Sequence, residues 1–292
     1  MVGGIKDDRG LKRNFLRLLR DPTTVFGLIV LIVVFLTAVF APLLASHDPG
    51  RGNLLFRLRP GFWSSLGAPG YLLGTDMLGR DMLTRVLYGS RVSLLVGFGA
   101  VLLSILVGGT LGLCAGFFRG RFDDYISRFV DWLMAFPLVL FLILVMGVLG
   151  PGTWNLIFAL TLQGWIPFFR LLRAEVLSER EKAYVEAAWA IGRNSWSIMF
   201  QEILPNIMHT LIVLATLRMG IVIIMEATLS FLGLGVSPHV PAWGSMISAS
   251  RGYMQIAWWL PVFPGLGIFF TVLSLNLLGE GLRDVLDPRL RK

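Results

Sequence analysis

Charge is scarce in this chain: only 15% of its 292 residues are Asp, Glu, Lys or Arg. An ordinary soluble domain carries about a quarter, so the surface of such a domain could not be built from this composition. Cysteine is nearly absent as well. Cys114 stands alone, which excludes an intrachain disulfide, and it lies inside an apolar run where it reads as small helix packing. The four lysines, Lys6, Lys12, Lys182 and Lys292, never follow a glycine. That excludes the Gly-x-x-x-x-Gly-Lys-Ser/Thr loop that cradles nucleotide phosphates. His47, His209 and His239 are far apart and lack metal-ligand spacing, so no metal site is expected. No Gly-x-Ser-x-Gly turn supplies a hydrolase nucleophile. No catalytic residues are expected, and no internal repeat is visible.

What remains is apolar. Hydrophobic residues make up 55% of the chain, and the mean hydropathy is +0.73. The apolar residues fall into runs of about 20 separated by short charged stretches, as a hydrocarbon slab of about 30 Å requires. The sequence predicts an all-α integral membrane protein with six spans: Thr23–Ala45, Val92–Phe118, Phe129–Leu149, Thr153–Leu172, Pro205–Leu234 and Trp258–Leu278. The basic stretch Lys12–Arg20 ahead of the first run resembles a signal peptide. The run is too long, however, and no small-residue cleavage pattern follows it, so it is expected to persist as a helix. Gly108, Gly112 and Gly116 repeat at the small-xxx-small spacing of close helix packing.

Basic residues give the orientation. With the N-terminus inside, eighteen of the 26 Lys and Arg fall on the inner side and seven on the outer side, with Arg218 within the fifth span. Both termini are therefore expected to be cytoplasmic. The net charge of +8 is spread over segment ends rather than on one face, which argues against nucleic acid as a partner.

Three regions carry pattern beyond hydropathy. The cytoplasmic stretch Arg173–Leu204 reads as a helix over Glu181–Ile191, a stop at Gly192 and a second amphipathic turn over Trp196–Phe200. Pro205 suits the first turn of the next helix. Glu186, Ala187 and Ala188 place a carboxylate beside two small side chains that let a partner approach closely. The outer run Gly74–Asp81, continuing through Arg85, Tyr88, Arg91 and Ser93, reads as an amphipathic helix at the outer mouth. Thr75 or Asp76 fits its cap, Leu78, Met82, Leu83, Val86 and Leu87 form its apolar side, and Arg80, Asp81 and Arg85 lie elsewhere. The back half holds Glu226, Leu229–Gly235, Pro241–Gly244, Trp258-Trp259, Phe263-Pro264-Gly265 and Gly279–Pro288 in order.

Glu186-Ala187-Ala188, three residues, Gly192, eleven more residues, and Leu204-Pro205 resemble the EAA signature of ABC-transporter importer permeases. The outer run and the ordered back half resemble the C-type permease subunit of the dipeptide/oligopeptide (Dpp/Opp) branch, from about Thr23 onward. The resemblance implies a type I ABC importer permease fold. It divides the chain into a cytoplasmic basic tail (1–22), a first transmembrane helix with outer loop and amphipathic helix (23–90), and a five-helix core (91–292) with a coupling loop at 173–204. Glu186, Ala187, Ala188 and Gly192 would couple to an ATPase, and Glu202, ahead of Ile203-Leu204-Pro205, departs from many relatives and would tune that contact. Implied partners are a homologous B-type permease, two cytoplasmic ATPase subunits that bind ATP and magnesium, and an extracytoplasmic substrate-binding protein, all at a bacterial or archaeal cytoplasmic membrane. No cofactor is expected in this chain. Nickel-chelate, glutathione or oligosaccharide import remains the alternative to peptides. A channel or secondary transporter would leave the Glu186–Pro205 pattern unexplained, and an enzyme would need a polar cluster that is missing.

Intramembrane charges cost several kcal/mol unless they face protein or water. Arg218 and Glu226, about 12 Å apart along one helix, are therefore candidates either for the translocation path or for the permease interface. Asp131 is expected to anchor to Arg128 or to another helix end.

Overall fold

The computed structural model describes residues 18–19, 21–237 and 239–286. Most of the expected basic tail at 1–22, and the basic residues after 286, lie outside them. Among the described residues all regular structure is helical. Five helices are long and apolar enough to cross a membrane, and a sharply bent pair makes a sixth.

Helix α1 (Pro22–Val39) is started by Asp21, whose carboxylate accepts from the backbone N–H of Thr23 and Thr24, with Pro22 supplying a pre-set φ in the first turn. Hydrogen bonds from the Thr23 and then the Thr24 side chain hold the Asp21 carboxyl down at about 2. Gly27 lets α1 approach α9 (Trp259–Leu286): a Cβ there would lie 3.0 Å from both the Ser274 carbonyl and Leu277 Cβ. Most of the remaining α1 surface, including Phe26, Ile29, Val33 and Phe35, is exposed and apolar, as lipid or a partner helix requires.

Helix α2 (Met82–Phe118) begins ten residues before the expected Val92 and includes a wide π-turn over Ile105–Gly109. The glycine stripe lies against helix α5 (Thr153–Glu179). A Cβ at Gly112 would sit 2.6 Å from the Phe169 carbonyl oxygen, and one at Gly116 would sit 2.8 Å from that of Arg173. The spacing therefore does what it predicts: it brings two backbones together. α5 continues past the expected Leu172 by two turns and is interrupted at Trp165, just before Pro167.

The third expected span is corrected. Phe129–Leu149 is not one helix but the end of α3 (Gly120–Met134) and all of α4 (Leu138–Leu149), bent by 88°. Pro137 forbids the continuous turn, because its ring displaces the helical hydrogen bond and disfavours α geometry at Phe136. α3 carries charge on one side, and its Asp123 is ion-paired with Arg173 of α5. Asp131 pairs with Arg170 at 2.8 Å rather than with Arg128. At 12 residues, about 18 Å, α4 alone is too short to cross.

Helix α6 (Ala183–Ala190) is short, and helix α7 (Ser195–Phe231) runs for 37 residues. α7 contains a second π-turn, Ile198–Ile203, immediately before Leu204 and Pro205. Pro205 is thus not the start of a separate helix. The N–H of Leu204 reaches back five residues to the Met199 carbonyl, and the widened turn accommodates the proline that follows. Helix α8 (Trp243–Ser250) wedges its first residue, Trp243, between α2 and α9. The indole donates to the Val86 carbonyl at 3.0 Å, and Cβ atoms at Gly89 or Gly267 would each lie 2.8 Å from the ring.

Candidate functional site

The loop between α5 and α7 is shaped by its ends. α6 closes in a Schellman arrangement: Arg193 N–H donates to the Ala188 carbonyl at 3.1 Å, and Gly192 N–H donates to Trp189 at 2.9 Å. That geometry needs a left-handed residue, and Gly192 supplies it with φ +77°. Val185 and Ala188 are buried against the bundle, while Glu186, Ala187, Ala190 and Ile191 face outward. Ala188, expected with its neighbours at the ATPase contact, is turned into the bundle. Its small side chain serves packing within this chain, and the outward surface is built from Glu186, Ala187 and Ile191.

The loop is tied down at both sides. Arg180 donates to the Phe117 carbonyl and stands over the Phe117 ring, which stacks on Trp189 at 5.8 Å. Tyr184 Oη donates to Glu179 at 2.8 Å, and Lys182 also pairs with that carboxylate. Glu202 is ion-paired with Arg193, so its charge is engaged inside the chain, across the turn that joins α6 to α7.

The outer loop is corrected in its details. No separate amphipathic helix precedes the second span. Arg80 lies before α2, Asp81 is its N-cap, and Arg85 is in its first turn. Asp81 accepts from Thr84 N–H at 3.0 Å and Thr84 Oγ1 at 2.6 Å, and His47 Nδ1 lies 3.5 Å away. Asp76, rather than capping a helix, folds the turn. It accepts from Leu78 N–H at 2.8 Å and Arg80 N–H at 2.9 Å while pairing with Arg80 at 2.7 Å and Arg85 at 3.6 Å. Thr75, Asp76, Asp81 and Arg85 are all buried. Trp259 Nε1 donates to the Thr75 carbonyl at 3.2 Å, so α9 holds this turn in place. The cluster is the folded foundation of this loop, and exposed apolar side chains lie beyond it at Leu54, Leu55, Phe62 and Leu66.

The two intramembrane charges part company. Glu226 is fully enclosed and accepts from Ser93 Oγ of α2 at 2.9 Å and Ser230 Oγ at 2.8 Å. It is not among the residues that line the cavity beside Arg218, and both of its oxygens are occupied by these serines. Arg218 is half-buried and lines a cavity of about 60 Å³ with Ser104, Gln163 and Phe168. Among the described residues no carboxylate comes within ion-pair distance of it. Nothing in the sequence singled out Ser104; its role shows only when α2 and α5 are packed. Among the described residues no group of His, Cys, Asp or Glu is arranged to hold a metal.

Comparison with known proteins agrees with this architecture. Residues 108–292 match the family described as the binding-protein-dependent transport system inner membrane component, and residues 11–60 match the N-terminal TM domain of oligopeptide transport permease C. The di/tripeptide transport system permease protein DppC of Pseudomonas aeruginosa is 42% identical over 91% of this chain and 88% of its own. The dipeptide transport system permease protein DppC of Haemophilus influenzae is 42% identical over 91% and 90%. The glutathione transport system permease protein GsiD of Pectobacterium atrosepticum is 40% identical over 96% and 90%. With two thirds of a helical bundle matched in one segment and its first span in another, the chain belongs to the family of binding-protein-dependent transport system inner membrane components, in the oligopeptide permease C branch.

Proposed function

We propose that this chain is one permease half of an ATP-driven importer of di- or oligopeptides in a bacterial or archaeal cytoplasmic membrane, with both termini cytoplasmic. A homologous B-type permease completes the pathway, two cytoplasmic ATPase subunits bind ATP and magnesium and supply the driving force, and an extracytoplasmic binding protein delivers the substrate. The chain itself performs no catalysis. The peptide assignment rests on relatives about two-fifths identical that are named for dipeptide and di/tripeptide transport. Glutathione, itself a tripeptide, is the second reading, supported by a relative of similar identity.

The observation that carries the coupling role is the outward face of α6. Glu186, Ala187 and Ile191 form a small exposed knob, stiffened from behind by Trp189 on Phe117. The Arg193–Glu202 pair then links the end of α6 to the base of α7. A push on the knob is passed to a span that runs the depth of the bundle, and alternating access follows from rocking of that span. The test uses Ala187→Trp, which enlarges the knob, and Gly192→Val, which forces a branched residue into φ +77°. In the reconstituted complex both should cut peptide uptake about tenfold or more while ATP is still hydrolysed, the size expected when about 1.4 kcal/mol of coupling is lost. Native uptake by both variants would sink the assignment.

A further inference from the structure

In the middle of the bundle, the cavity beside Arg218 has chemistry that the helix packing does not use. Many span hydroxyls are satisfied locally. Thr110, Thr161, Thr216, Thr228, Thr271 and Ser274 each donate to the carbonyl four residues earlier in their own helix, and Ser93 and Ser230 donate to Glu226. Ser104 does neither. Its Oγ is buried, has no hydrogen-bond partner and lines the cavity. It sits at the entrance to the π-turn Ile105–Gly109, and Gly164 leaves it room: a Cβ there would press on Ser104 Oγ at 2.7 Å.

Two further groups face the same space. Gln163, also buried, spends its Nε2 on the Leu133 carbonyl at 2.9 Å, which fixes the amide at the cavity wall. Arg218 brings a guanidinium with no carboxylate beside it among the described residues, since Glu226 is committed to its two serines. Leu138 and Ile221 line the cavity and are themselves exposed, so it opens on a face this chain leaves uncovered. A planar guanidinium and an unpaired hydroxyl lining one largely apolar cavity form the donor set that selects a carboxylate over a neutral group.

We infer that Arg218 and Ser104, set against the fixed amide of Gln163, form a carboxylate-recognition site on the translocation path that takes the C-terminal carboxylate of the peptide in transit. The inference rests on the peptide-importer reading and deepens it. Glu226 offers no matching site for the amino terminus, so the recognition is one-ended: the path reads the acid end of the cargo.

The test compares a dipeptide with its C-terminally amidated form, each at a concentration that saturates the binding protein, using the complete complex in proteoliposomes. Arg218→Gln should lower uptake of the free acid about tenfold, the loss expected of a charged hydrogen bond, and uptake of the amide less than about twofold. Ser104→Ala should lower free-acid uptake about threefold, as one neutral hydrogen bond would, again sparing the amide. Thr216→Ala, on the same helix but bonded to its own backbone, should leave both unchanged. An equal fall for both substrates, no fall in either variant, or failure of Arg218→Gln to co-purify with the partner permease would overturn the site, the last by making Arg218 an interface residue. A wild-type complex that assembles and hydrolyses ATP but imports neither dipeptide would instead remove the peptide reading, and the site with it.

Discussion

Ser93 and Glu226 lie 133 residues apart, on α2 and α7, and the 2.9 Å hydrogen bond between them fastens two spans in the interior of the bundle. Ser230, one turn along α7, occupies the other oxygen at 2.8 Å. The carboxylate is surrounded by its donors, so its contribution is to assembly. Glu226→Ala would strand both hydroxyls in apolar surroundings and open a cavity, and should destabilise the protein by about 2–4 kcal/mol. Ser93→Ala removes one hydrogen bond and should cost about 1 kcal/mol. Thermal unfolding of the purified protein in detergent checks both. If Glu226→Ala unfolds at the wild-type temperature while uptake is lost, the structural role is wrong.

The contact between α2 and α5 is set by backbone proximity. Gly112→Leu places a side chain where even a Cβ lies 2.6 Å from the Phe169 carbonyl oxygen. The helices must separate, at a cost of about 2–3 kcal/mol. Gly147, where a Cβ meets nothing within 4 Å, is the control: Gly147→Ala should be neutral or slightly stabilising through helix propensity. The yield of folded, monodisperse protein distinguishes the two.

The outer turn depends on a buried charge group. Asp76→Asn leaves Arg85 buried with its carboxylate partner gone, and removal of one partner from such a group costs about 3–5 kcal/mol. Topology is checked separately at exposed sites. In intact cells an impermeant thiol reagent should label Leu55→Cys from outside and leave Ile191→Cys untouched until the membrane is opened; both positions are largely exposed. The reverse pattern would invert the orientation.

Hydropathy and charge distribution were enough to find the spans, the glycine stripe and the exposed helix of the cytoplasmic loop, because each is a local property of contiguous residues. The early start of α2 was hidden for a physical reason. Arg85, Ser90, Arg91 and Ser93 make the first turns look like a separate amphipathic surface helix, and only the packed structure supplies Asp76 for Arg85 and Glu226 for Ser93. The bend between α3 and α4 was masked in the opposite way: Phe129–Leu149 is apolar enough to read as one span, and the break rests on a single proline. Ala188 looked like part of a contact surface because small residues serve both docking and burial, and a sequence does not say which side of a helix turns inward. Ser104 gave no signal at all, since an unpaired hydroxyl is a property of three packed helices and not of any one.

The continuity of α7 has a mechanical consequence. From Ser195, next to α6, to Phe231 it is a single rod of 37 residues, about 55 Å long. A pivot of only about 5° at its base would sweep the far end through about 5 Å, a helical pitch. The gain of such a lever is set by length alone, so a movement at the α6 end too small to disturb its packing becomes, at the opposite end, a displacement as large as the spacing between turns of a neighbouring helix.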